Sequence, residues 1–88
     1  MALTMKGLEL IFNHAQKTGA NHVAVVIEME GFPANEVIIN ERANFLSKLT
    51  YYKKTYDENC NHKFAKGIRI VDAASGAYYQ DIERELNL

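Results

Sequence analysis

The stretch "HVAVVIEMEGFPANEVII", residues 22–39, decides the fold. Its first half alternates. Val23, Val25, Ile27 and Met29 fall on one face of a strand over 22–29, and His22, Ala24, Val26 and Glu28 on the other. Both faces are apolar at their centre, which is the pattern of a central strand or of one covered on both sides. In a chain of 88 residues the second cover can come from another subunit. "EGFPAN", residues 30–35, is turn chemistry punctuated by Gly31 and Pro33. A second strand over 35–39 then returns antiparallel to the first as a hairpin.

Working outward, Asn40 reads as the N-cap of a helix over 41–57, because its side-chain oxygen can accept from free first-turn amides. Phe45, Leu49, Tyr52 and Tyr56 recur on one stripe of that helix and read as core. Residues 58–67, "ENCNHKFAKG", read as a polar loop, and 67–72, "GIRIVD", as a third strand with Ile68 and Ile70 inward. "ASG" reads as a turn, with Ser75 or Asp72 capping a last helix over 77–86. Before the hairpin, residues 4–18 set Met5, Leu8, Ile11, Phe12 and Ala15 at helical spacing, with Thr4 to start the helix and Gly19 to end it. The order α-β-β-α-β-α predicts one domain over 1–88. It is a two-layer α+β fold with a small, mainly antiparallel sheet and helices packed on it. Three strands leave two open edges, which are templates for pairing with another chain, so a homo-oligomer is expected.

Composition narrows the class. The net charge is −1, so no global field draws the chain to nucleic acid or to anionic lipid. The charge is uneven: residues 41–72 carry seven Lys/Arg against four Asp/Glu. A single cysteine, Cys60, allows no intrachain disulfide. The longest apolar run is far too short for a membrane span, and the N-terminal residues have no secretory-signal pattern. The cytoplasm is the expected compartment. No HExxH, GxGxxG or placeable Ser–His–Asp pattern occurs, so no catalytic activity and no cofactor are expected. Cys60 and His62 lack a second ligand pair, which argues against a metal site.

Three places carry binding chemistry. Tyr51 lies off the core stripe, on a face with Lys48 and Lys54; an exposed aromatic beside lysines can stack a base and hold a phosphate. "DAASGAYYQD", residues 72–81, follows a strand and opens a helix, so Ser75 and the amides of Gly76 and Ala77 can form an anion cradle, with Arg69 adding charge from the outward face of the strand. Phe32, at the hairpin tip, is an apolar residue suited to a partner contact.

The strand "EVIIN", the helix with its "YYKK" centre and the later "IRIVD" strand resemble short accessory proteins of phages and prophages of Gram-positive bacteria, over residues 36–72. The resemblance implies a protein that counters host immunity by binding. One implied form is a homo-oligomeric sponge for a cyclic or phosphorylated nucleotide; the resemblance transfers no site residue, and the binding chemistry read above would place its site at Tyr51, Lys48, Lys54, Arg69, Ser75 and Gly76. The other is an anti-CRISPR-like inhibitor that binds a host defence protein through the sheet edge or Phe32. Nucleic acid is the weaker partner, given the balanced charge.

Overall fold

A computed structural model of the chain describes residues 3–76 and 79–86. The helix α1 spans Met5–Thr18, with the Thr4 hydroxyl accepting from the Gly7 amide at 3.1 Å and Gly19 closing the far end in a left-handed conformation. Strand β1 spans His22–Met29 and β2 Glu36–Glu41. A single 3-10 turn, Arg42–Asn44, leads into α2, Phe45–Thr55. Strand β3, Ile68–Gly76, and helix α3, Tyr79–Leu86, complete the α-β-β-α-β-α order of a small α+β domain. The sheet is antiparallel throughout, in the order β2-β1-β3. β1 is therefore the central strand, as its two apolar faces require.

The main core lies between one face of the sheet and the helices α1 and α2. Leu8, Phe12, Val23, Val25 and Tyr52 are buried in it, and Phe12 meets Phe45 edge-on at 5.6 Å. The stripe Phe45, Tyr52 and Tyr56 is buried, and Leu49 packs at its margin. Ala24, Val26, Ala74 and Ile82 are also buried but stand outside this cluster. They mark the opposite side, where α3 packs on β3 and the adjoining part of β1. Part of the second cover thus comes from the chain's own last helix, and the alanines let that helix approach closely.

Two segment readings change. Asn40 is no helix cap: it continues β2, opposite Val23, and its side chain turns inward to the Val23 carbonyl and the Tyr52 hydroxyl. The helix accordingly begins after the 3-10 turn. "ASG" is no turn: Ala73, Ala74, Ser75 and Gly76 extend β3 and pair with Val25, Ala24, Val23 and His22. The long central strand offers ladder partners to both segments, and those outweigh the local preference of Asn, Ser and Gly for caps and turns. Among the described residues no helix is long and apolar enough to cross a membrane.

Candidate binding surface

A cleft of about 690 Å³ lies between the hairpin tip and the segment 61–69. Two features close it. The Glu30 amide donates to the Gly67 carbonyl at 2.8 Å, extending the β1–β3 ladder past its end. Gly67 has φ +84, and a Cβ there would fall 2.6 Å from Glu30 Oε2 and 2.8 Å from Glu30 Cβ. Only glycine allows the two loops so near each other.

The segment leading into the cleft is tightly folded. Asp57 Oδ1 accepts from the amides of Asn59 and Asn61 at 2.9 and 3.0 Å. Cys60 sits at positive φ with its side chain buried, and its carbonyl accepts from the Ile70 amide. His62 Nδ1 accepts from the amides of Phe64 and Ala65 at 3.0 and 2.9 Å, which sets the tautomer with the proton on Nε2. The reading of 58–67 as a plain polar loop therefore missed its buried thiol and its internal bonding.

The cleft mixes apolar and polar walls. Met29, Phe32, Pro33 and Ile68 supply carbon surface, and Asn35 and Asn61 supply amides. Phe32 is 66% exposed at the rim. Arg69 and Glu28 line the cleft as an ion pair at 3.1 Å, so the arginine charge is already answered. Glu30 and Lys66 add one charge of each sign.

The other predicted residues lie elsewhere. Tyr51, 50% exposed on α2, has the Lys48 ammonium 5.0 Å from its ring centroid and meets Tyr52 edge-on at 5.4 Å. Lys48 and Tyr51 are thus brought together as expected, and Lys54 stands exposed one turn on. None of the three lines the cleft that holds Arg69. Ser75 and Gly76 belong to β3, so they do not form a helix-start cradle. The expectation for Ala77 lies outside the described residues. The Cys60 thiol is held toward its protonated form: burial, with Asp57 alongside, pushes it up to about 11. Among the described residues no three His, Cys, Asp or Glu side chains gather as a metal site.

The sequence places Phe32 at an exposed tip and Arg69 on an outward strand face, and the fold brings both to one cleft. The available signal was the glycine at 67 before an alternating strand, which marks a close backbone approach. Comparison with protein-family models, with curated proteins and with solved structures finds no match to this chain.

Proposed function

We propose that the chain is a non-enzymatic binding protein of the phage accessory type that grips a protein partner at the cleft under Phe32. The observation that carries this reading is the make-up of that cleft. It has an exposed aromatic anchor at its rim, apolar walls, and side-chain amides able to hydrogen-bond a passing main chain. Such a surface matches a protein interface, with an anchor inside a polar rim. A phosphorylated ligand fits it poorly. Glu28 and Glu30 would face the phosphate, and Arg69 already answers Glu28. The runner-up is a nucleotide sponge centred on Tyr51, Lys48 and Lys54. It draws on the exposed tyrosine of α2 beside Lys48, while Ser75 and Gly76 belong to β3 and Arg69 pairs with Glu28.

The test compares the wild type with Phe32→Ala and Arg69→Ala in capture from lysate of a Gram-positive bacterium, with native mass spectrometry against a panel of cyclic nucleotides alongside. One protein captured by the wild type and lost by Phe32→Ala, with no nucleotide bound, supports the proposal. A nucleotide carried or taken up by the wild type, and lost in Tyr51→Ala with Lys54→Ala, replaces it with the sponge.

A further inference from the structure

The sheet has two edges, and the structure treats them differently. Along β1–β2 the Arg42 amide donates to the Asn21 carbonyl at 2.9 Å, in the same register as the strand pairs. Hydrogen-bonded pairs alternate in an antiparallel ladder, so Asn40, Ile38 and Glu36 also turn their backbone groups toward β1. Val37 and Ile39 therefore turn theirs outward, to the free edge. On the far side the same parity directs the Ala73 amide outward. There the Asp72 carboxylate already accepts it, at 2.8 Å, next to a ladder irregularity opposite Val26 and Ile27. A bulge and a capping carboxylate are devices that blunt an edge. Among the described residues, β2 shows neither.

We propose that two copies of the chain pair through β2, antiparallel about a two-fold axis at Ile38, to make one continuous six-stranded sheet. This inference does not rest on the cleft reading. In this register Val37 of each copy lies opposite Ile39 of the other, and their outward amides and carbonyls bond reciprocally. Glu36 lies opposite the second copy's Asn40, and Asn35 opposite its Glu41, so apolar meets apolar and polar meets polar. The neighbouring two-fold register, about Ile39, would set Glu41 against Val37 and Asn40 against Ile38, which wastes both matches.

Charge selects the same arrangement. Asn40 points toward α2, where its Tyr52 partner has the Lys48 ammonium 5.4 Å from its ring centroid. By alternation Glu36 shares that face. Placed opposite the second copy's Asn40, its carboxylate comes up to that copy's Lys48. The pair forms twice, once on each side of the axis. Tyr51, beside Lys48 on α2, then sits at the rim of the contact, which accounts for an exposed aromatic on that helix.

The experiment is sedimentation of the full chain at about 0.1 mM, where a micromolar Kd leaves mostly dimer, joined to cysteine crosslinking and charge reversal. Ile38→Cys places one thiol from each copy side by side on the axis in a non-hydrogen-bonded pair, close enough for a disulfide. It should give a covalent dimer under mild oxidation, whereas Ile39→Cys should not. Glu36→Lys and Lys48→Glu should each weaken the dimer roughly tenfold or more, and the double variant should restore it. Circular dichroism checks that each variant folds. A wild type that sediments as a monomer overturns the proposal. So does crosslinking through Ile39→Cys in place of Ile38→Cys, or a dimer indifferent to both charge reversals.

Discussion

Asn40 and Tyr52 hold each other inside the core: the tyrosine hydroxyl donates to Asn40 Oδ1 at 3.4 Å, and the Asn40 amide nitrogen reaches the Val23 carbonyl at 3.2 Å. Among the described residues, Asn40 is the buried polar side chain in a core of apolar and aromatic neighbours. Its partners come from β1 and α2, so it fixes how the helix sits on the sheet. Tyr52→Phe keeps the ring and strands one buried acceptor, which costs about 1–2 kcal/mol. Asn40→Ala removes both bonds and opens a small void, and should cost about 2–3 kcal/mol. Urea denaturation of the two variants and their double mutant checks this. The double mutant should be more stable than the sum of the singles predicts, because the shared bond is lost only once.

A second long-range tie runs from Arg42 to the end of α1. One guanidinium nitrogen donates to the Ala15 and Ala20 carbonyls at 3.3 and 3.0 Å, and the other to the Gln16 carbonyl at 2.8 Å. Gln16 lies in the last turn of α1, where carbonyls lack intrahelical partners, and Ala15 and Ala20 flank the same helix end, so a cation there also opposes the negative end of the helix dipole. Arg42→Ala should destabilise the chain by about 1–2 kcal/mol. Arg42→Lys should recover less than half of that, because an ammonium cannot span carbonyls that a planar fork reaches together. Thermal melts of the three proteins decide it, with α1 amide exchange rising most in the alanine variant.

Much of this architecture is written in local pattern. The alternation of 22–29 marks a central strand, the helical spacing of Met5, Leu8, Phe12 and Ala15 marks α1, and the aromatic stripe marks the buried side of α2. Asn40 and the "ASG" stretch mislead because their local chemistry favours caps and turns, while a neighbouring strand decides their state. The cleft was illegible for a different reason. Its walls come from residues 28–35 and 61–69, joined by a ladder that outlasts β1. No periodicity within either segment reports that meeting. The role of Arg42 is likewise invisible locally, since its partners lie more than twenty residues away.

Gly67 controls the shape of the cleft. Its φ of +84 already disfavours a side chain, and Glu30 occupies the space a Cβ would need. Gly31, at φ +89, has nothing within 4 Å of such a Cβ. Gly31→Ala should therefore cost about 1 kcal/mol of backbone strain, and Gly67→Ala about 2–3 kcal/mol, since strain and collision add. Only Gly67→Ala should also weaken partner capture, by forcing Glu30 and the 61–69 segment apart. Chemical denaturation and capture on the same pair of variants separate the two effects. Equal costs at both glycines would remove the close approach as the cause.

Alkali should unfold the protein through groups it buries in their protonated state. Burial, with Asp57 alongside, pushes the Cys60 thiol from 9.0 up to about 11. Burial, then the neighbouring Tyr51, Tyr52 and Glu36, pushes the Tyr56 hydroxyl from 10.0 up to about 12. Tyr52 is raised as well, chiefly by burial. In each case the unfolded chain gives up its proton at lower pH than the folded one. The stabilisation is complete below the unfolded values and is lost as pH rises toward the folded ones, so stability should fall from pH 9 towards pH 12. Cys60→Ala should flatten the first part of that decline, and Tyr56→Phe the later part. Urea midpoints taken at half-unit steps of pH check both, and tyrosinate absorbance follows the phenols directly. At pH 8 the native thiol should react with a disulfide reagent far more slowly than the urea-unfolded chain does, because it is both buried and protonated. A fast native reaction, with stability level across the alkaline range, would mean that Cys60 is open to solvent and that the 57–62 turn is not packed as described.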